Sequence, residues 1–144
     1  MTDQNHYAVS LRIFLGRRIL ELAEEGVALT SVQGCSDVVG LALSHDAEVV
    51  AIPVARLDAK FFRLSTGFAG DVLQKFANYR LRVAILGDPF VLAEQSEPLR
   101  DFIRESNRGR AVWFLCDWES FGDKLNRESN AGYRPWESDR KSVV

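Results

Sequence analysis

Residues 48–55 read Glu-Val-Val-Ala-Ile-Pro-Val-Ala, a short run that is almost continuously apolar and rich in β-branched side chains. Such runs are typical of strands buried on both faces of a parallel sheet. The pattern returns in residues 82–86, Arg-Val-Ala-Ile-Leu, and in residues 111–115, Ala-Val-Trp-Phe-Leu. We therefore expect three buried strands, and we expect the first to end near Pro53, because proline has no N–H to donate to a strand ladder.

Amphipathic patterns fill the intervals between these runs. Apolar residues at helical spacing follow the Thr-Ser pair at residues 30–31, which predicts an N-cap there. In residues 66–79 the apolar side chains fall on one helical face, and Phe76 on that face is predicted to point into the core. Ser96 is predicted to cap a further helix. A short last helix is predicted over residues 118–125.

The beginning of the chain predicts a strand pair. Residues 7–15 alternate apolar and polar side chains, and a Gly-Arg-Arg turn separates them from the apolar residues 19–22. Strands that alternate with helices predict an α/β fold, a single-layer, mainly parallel sheet with an N-terminal antiparallel hairpin and crossover helices. We expect one domain over residues 1–125. Residues 126–144 lose all periodicity and are predicted to form a disordered or loosely docked tail.

The composition excludes several classes of protein. A chain of 144 residues with 47% apolar side chains can bury a core, which excludes global disorder. Eighteen basic and 20 acidic residues give a net charge of −2, so no nucleic-acid partner is expected. No apolar run approaches the roughly 20 residues that span a bilayer, so we expect no membrane partner and a cytoplasmic location.

The cysteines and histidines do not predict a metal site. Cys35 and Cys116 lie far apart and are interpreted as reduced thiols. Cys116 follows an apolar strand without a basic neighbour, so it is expected to be a buried structural thiol. The two histidines are too dispersed for a zinc set. The common nucleotide, serine-hydrolase and zinc-protease motifs are absent from the sequence, and no metal or cofactor is expected.

Candidate site residues follow the predicted buried strands, because ligands of open parallel sheets bind beyond the carboxyl ends of the strands. The loop after the first strand ends in Ser65-Thr66-Gly67, where two hydroxyls and a glycine open a helix. Free backbone N–H groups there could bind an anion, or a hydroxyl could be phosphorylated. The alternative interpretation is an N-cap with small residues that allow close packing.

Carboxylates follow the other two strands. Asp88 comes directly after the second strand and Asp117 shortly after the third. A pair of carboxylates could bind a metal or act as acid and base, and both residues fit equally well as turn formers or helix caps. Charged residues crowd the end of a helix in residues 101–110, which indicates a solvated or partner-binding face rather than a catalytic centre. Glu105 and Asn107 are the candidate binding residues of that face.

Four blocks of the sequence resemble a known family. They are AIPVARLDAKFF at residues 51–62, STGFAGDVLQKFANYR at residues 65–80, ILGD at residues 85–88 and ESNRGR at residues 105–110. Together they resemble the bacterial domain-of-unknown-function 4180 family over residues 19–125.

The order of the predicted elements is also similar to the sulfate-transporter and anti-sigma-factor-antagonist fold. That fold carries a regulatory Ser or Thr at the start of its second helix, which is the position of Ser65 and Thr66 here. The antagonist signature has an acid directly before the hydroxyl, whereas this sequence has Leu64. The order of elements thus implies a regulatory site at Ser65 and Thr66, but the sequence lacks the antagonist signature.

Two hypotheses about function follow. The first is a cytosolic, non-enzymatic regulatory or protein-interaction module that binds a protein or a small anionic ligand through the helix start at Ser65 and Thr66 and the adjacent loops. The alternative is a small enzyme or ligand-binding protein of small-molecule metabolism, with a pocket at the same edge of the sheet that uses Asp88, Asp117 and Arg80. Under the first hypothesis Thr66→Asp is predicted to preserve the fold and change binding.

Overall fold

The computed structural model describes residues 6–132, which form a five-stranded sheet whose strand order follows the chain order. An antiparallel hairpin opens the sheet, and the remaining strands add in parallel. The strands are β1 (Val9–Phe14), β2 (Arg17–Leu22), β3 (Val49–Pro53), β4 (Arg82–Leu86) and β5 (Val112–Leu115). The predicted α/β class, the hairpin and the mainly parallel sheet are confirmed.

Helices connect the parallel strands and follow the last one. They are α1 (Val32–Ser44), α2 (Phe68–Asn78), α3 (Pro89–Ala93), α4 (Glu97–Arg108) and α5 (Trp118–Gly132). The predicted hydroxyl caps of α1 and α4 are confirmed, since Ser31 accepts from the Gly34 N–H and Ser96 from the Leu99 N–H. The short helix α3 lies in a segment for which the sequence analysis predicts no helix. It forms because Asp88 caps its start and Pro89 is preset for a first helical position.

The helices divide unequally between the two faces of the sheet. Each βαβ crossover steps to the next strand in the same direction, and crossovers share one hand, so their helices gather on one face. Side chains of α1, α2, α3 and α4 accordingly belong to one core cluster. The other face packs against α5 through Phe121 and Leu125.

The central strand is buried as the sequence predicts. Every residue of β3 is buried, which is the pattern of a parallel strand covered on both faces. Phe76 of α2 has no exposed surface and lies in the larger cluster, so its predicted inward orientation is confirmed.

Helix α5 continues beyond the boundary that the sequence predicts. It extends to Gly132, so residues 126–132, which the sequence analysis assigns to the tail, are helical. An ion pair rather than apolar packing holds this end of the helix, because Glu128 accepts from the Arg82 guanidinium at 3.0 and 3.1 Å. The rest of the predicted tail, residues 133–144, lies outside the described residues.

A buried arginine organises the loops at the carboxyl edge of the sheet. Arg56 is 0% exposed and follows β3. Its guanidinium donates to the backbone carbonyls of Val27 at 2.8 Å, Ala23 at 2.9 Å and Tyr7 at 2.7 Å. A Cβ on Gly26 would lie 2.7 Å from the Arg56 Cζ, so the loop can close over the guanidinium only with glycine there. No carboxylate within residues 6–132 pairs with Arg56, and carbonyl dipoles alone hold the charge.

Candidate functional site

The predicted site residues divide between the two ends of the sheet. The carboxyl edge is where β2, β3, β4 and β5 end, and the amino edge is where they begin. The segment of Ser65, Thr66 and Gly67 lies at the carboxyl edge, because it precedes α2, which leads back to the start of β4. Asp88 and Asp117 lie there as well, since each comes two residues after the last residue of a strand.

Thr66 is engaged in the local backbone. Its hydroxyl lies 2.9 Å from the Lys60 carbonyl and 2.8 Å from the Arg63 carbonyl, and its single hydrogen is shared between these two acceptors. The same oxygen accepts from the Phe68 N–H at 3.2 Å. Gly67 follows with a φ of +77°, a left-handed conformation that glycine adopts without steric cost. These contacts are those of a turn and cap residue, which is the alternative that the sequence left open.

Thr66→Asp is expected to lower the free energy of unfolding by about 1–2 kcal/mol, because a carboxylate cannot donate to the two carbonyl oxygens. This reverses the expectation that the substitution preserves the fold. Thr66→Ser keeps the donor and serves as the control, with a change within about 0.5 kcal/mol. Urea denaturation at pH 7 measures both variants. A Thr66→Asp protein as stable as the wild type would show that the donated bonds are dispensable.

The two carboxylates act as helix caps. Asp88 is exposed and accepts from the Phe90 N–H at 2.9 Å at the start of α3. Asp117 is exposed and accepts from the Ser120 N–H at 2.8 Å at the start of α5. Hydrogen bonds from Ser120 hold the pKa of the Asp117 carboxyl below its ordinary value. Such a carboxylate stays ionised at neutral pH, which suits a cap better than a general acid.

A cleft of about 270 Å³ opens at the carboxyl edge beside Asp117. Its lining includes Glu21, Glu24, Cys116 and Trp118. Neither Asp88 nor Arg80 lines it, so the three residues of the enzyme hypothesis are not assembled in one pocket.

Cys116 is exposed, so the prediction of a buried structural thiol is wrong. The residue comes one position after the last residue of β5, where the chain has already left the sheet. Cys35, by contrast, is buried within α1, and this burial raises the pKa of its thiol to about 11.

Three predicted residues lie elsewhere. Arg80 is at the amino edge, because the 11 residues of α2, roughly 16 Å of helix, lead back across the sheet. Glu105 is exposed and its carboxylate lies 3.6 Å from the Arg108 guanidinium, a surface pair of small energetic weight. The Asn107 side chain donates to the Phe114 carbonyl and accepts from the Phe114 N–H. These two bonds satisfy the backbone groups of Phe114 on the outer edge of β5, so Asn107 has a structural role.

Sequence reasoning missed the most exposed aromatic side chain among the described residues. Phe90 of α3 is 82% exposed, and Val91 beside it is 57% exposed. The next residue, Leu92, is buried in the core. The available signal was the absence of a large apolar side chain three or four positions after Phe90, where the sequence has Ala93 and Glu94.

The family described as Domain of unknown function (DUF4180) matches residues 15–125, which is more than half of the chain. The chain belongs to this family. No curated protein and no solved structure matches it significantly. The DUF4180 region begins in the hairpin turn and ends in α5, so it includes every candidate residue named above.

A second cleft of the DUF4180 region lies between the segment before α2 and the start of α4. Its volume is about 280 Å³, and it is lined by residues 62–65 together with Gln95, Ser96 and Pro98. Ser65 is exposed there, and its side chain makes no hydrogen bond with any residue from 6 to 132. Both neighbouring residues are exposed, but only the Ser65 hydroxyl is free of hydrogen bonds in the described region.

Two further properties concern residues 6–132 alone. In this range no three side chains of His, Cys, Asp or Glu are grouped as a metal site would require. Over the same range no helix combines the length and the apolar character that a membrane crossing needs.

Proposed function

We propose that this DUF4180 chain is a cytoplasmic protein-interaction module. Its docking surface consists of α3 and the adjoining cleft lined by residues 62–65 and 95–98. The observation that carries the proposal is the 82% exposure of Phe90. A large aromatic side chain in water has no role in the fold, whereas aromatic side chains are enriched at the energetic centres of protein interfaces.

The way α3 is held supports a docking role. The Asp88 cap and Pro89 fix the start of the helix, and the buried Leu92 anchors it to the core. Phe90 and Val91 are therefore presented on a short, preset helix. A preorganised aromatic anchor loses little conformational entropy on binding.

The charge around α3 favours one kind of partner. Residues 87–99 contain three acids and no Lys or Arg, and Arg63, which lines the cleft, is the one basic residue of the docking surface. Asp88 and Glu94 are exposed, and neither makes an ion pair with the described residues. Complementary charge predicts a protein partner that surrounds an apolar pocket with lysine or arginine side chains.

The regulatory part of the proposal concerns Ser65. Its accessible hydroxyl lines the cleft beside α3, so a phosphate added there would bring about two negative charges to the docking surface. Such a charge would attract the basic rim of the partner. The order of elements is similar to that of the anti-sigma-factor-antagonist fold, whose regulatory hydroxyl precedes the second helix. This similarity also supports a regulatory role for Ser65.

Site-specific photo-cross-linking tests the docking surface. Benzoylphenylalanine replaces Phe90 in one variant, and in a matched control it replaces Tyr79, which is 50% exposed. We expect the Phe90 probe to give one discrete adduct in living cells, with a cross-linked peptide rich in Lys or Arg. Glu94→Lys should reduce its yield. Phe90→Ser should weaken the affinity of the identified partner by about thirtyfold, a hot-spot effect of about 2 kcal/mol, and change stability by no more than about 0.5 kcal/mol.

Three outcomes would overturn the proposal. The first is the same set of adducts from both probe positions, which indicates random collisions. The second is an adduct with another copy of this chain, which makes the surface a self-association site. The third is an adduct whose yield is insensitive to Glu94→Lys and to salt, which contradicts the charge complementarity.

A further inference from the structure

A shallow groove lies at the amino edge of the sheet, opposite the docking surface. It has a volume of about 320 Å³, and we call it the arginine groove. Its lining is Ala77, Arg80, Leu81, Arg82, Arg110 and Ala111. Its lining thus combines small or apolar residues with three arginines.

One carboxylate accompanies these three cations. Glu128 accepts from both terminal nitrogens of Arg82 and, at 2.6 Å, from Nε of Arg110. Partial burial raises the pKa of Glu128, but the hydrogen bonds from both arginines outweigh it and hold the pKa below its ordinary value. Glu128 therefore carries its charge at neutral pH. The three arginines of the groove and Glu128 together carry a net charge of +2, and a fourth guanidinium, that of Arg17, lies 4.0 Å from Glu128.

Arg82 makes the groove a rigid structure. Its side chain is only 13% exposed, and its guanidinium lies 4.7 Å from the centre of the Trp113 ring. Arg110 is different, since 73% of its side chain is exposed and it contacts Glu128 through Nε alone. Its two terminal nitrogens make no hydrogen bond with any residue that the structure describes. They are free to bind a ligand.

Arg80 adopts an unfavourable backbone conformation at this groove. Its φ is +59°, and it follows the C-cap of α2. Its N–H donates to the Ala77 carbonyl and the next N–H, of Leu81, to the Phe76 carbonyl, the pair of bonds that closes a helix end around a left-handed residue. Glycine is the usual residue there because it has no Cβ. Among residues 6–132 the Arg80 side chain finds no hydrogen bond or ion pair.

We propose that the arginine groove binds the phosphate group of a small phosphate monoester. Arg80, whose side chain is unpaired among residues 6–132, lines the same groove as Arg82 and Arg110. Guanidinium forks match phosphate oxygens in a bidentate manner, and a phosphate dianion balances the charge of +2. A volume of about 320 Å³ suits a small ligand. This site is independent of the proposed docking surface.

The test measures the binding of inorganic phosphate and of free O-phosphoserine, with serine, which lacks the phosphate, as the control, at constant ionic strength. The readout is the side-chain Nε–H signals of the arginines in NMR spectra, which report the site as well as the affinity. We expect saturable shifts at Arg80 and Arg110 with both phosphates and none with serine. Equal affinities for O-phosphoserine and for a phosphoserine peptide would support a small ligand. A much higher affinity for the peptide would overturn the proposal that the ligand is a small molecule.

Arg80→Gly separates binding from folding. Glycine relieves the left-handed strain, so we expect this variant to melt at a higher temperature and to bind both phosphates at least tenfold more weakly. Arg104→Ala is the matched control, since Arg104 is an exposed arginine paired with Asp101 on α4, and it should bind within twofold of the wild type. An Arg80→Gly protein that binds as well as the wild type would overturn the proposal. A dissociation constant above about 10 mM for both phosphates in the wild type would do the same.

Discussion

Phe76→Ala is expected to lower the free energy of unfolding by about 3–5 kcal/mol, through lost burial and the cavity that the smaller side chain leaves. Phe76 has no exposed surface, and it lies where α2 packs against the sheet within the larger core cluster. Because whole domains are stable by only about 5–15 kcal/mol, this one substitution removes a large share of the total. Urea denaturation followed by circular dichroism measures the loss.

Tyr79→Ala provides the control for Phe76→Ala. Tyr79 directly follows α2 and is 50% exposed, so its truncation should cost about 0.5 kcal/mol or less. Equal losses for the two variants would show that helix propensity, and not burial, dominates this region.

Arg56→Met is expected to lower the free energy of unfolding by about 3 kcal/mol or more. The substitution keeps a long side chain but leaves three carbonyl groups without their donors, and each unsatisfied buried group costs about 1–3 kcal/mol. Burial lowers the pKa of the Arg56 guanidinium, yet arginine stays charged in proteins. The loss should therefore be the same at pH 5 and pH 8.

Arg56→Lys separates charge from geometry. Lysine retains the positive charge, but its single nitrogen cannot reach three carbonyls that lie in different directions. We expect a stability between those of the wild type and Arg56→Met. A lysine variant as stable as the wild type would contradict the bonding pattern, as would an Arg56→Met variant that loses less than about 1 kcal/mol.

The sequence predicts those parts of the fold whose signals are local. The apolar run at residues 48–55 is buried on both faces because its own side chains require it. Ser31 and Ser96 cap helices through N–H groups only three residues away. These contacts join residues that are close in the sequence, so local sequence patterns predict them.

Contacts between distant residues explain most of what the sequence analysis missed. Arg56 is held by carbonyls 29 to 49 positions earlier in the chain, and no local pattern marks them. Glu128 keeps residues 126–132 helical through Arg82, which is 46 positions away. Because this contact is ionic, residues 126–132 have no apolar side chains at helical spacing. In the sequence, the end of α5 therefore resembles a polar tail.

The candidate site was predicted in part. The carboxyl edge was expected to hold Ser65, Thr66, Asp88 and Asp117, and the structure places all four there. Their contacts distinguish them, because three act as caps and only the Ser65 hydroxyl remains without a hydrogen bond in the described region. Arg80 was assigned to the wrong edge because the length of α2 was not taken into account.

The arrangement of α5 has a consequence for the synthesis of the protein. The ribosome releases the strands and the crossover helices in chain order, so the larger core cluster can close while α5 is still in the exit tunnel. Until residues 118–132 emerge, the opposite face of the sheet, which includes Ile19 and Trp113, has no helix to cover it. Nascent chains paused at this stage would expose an apolar sheet to chaperones and to one another.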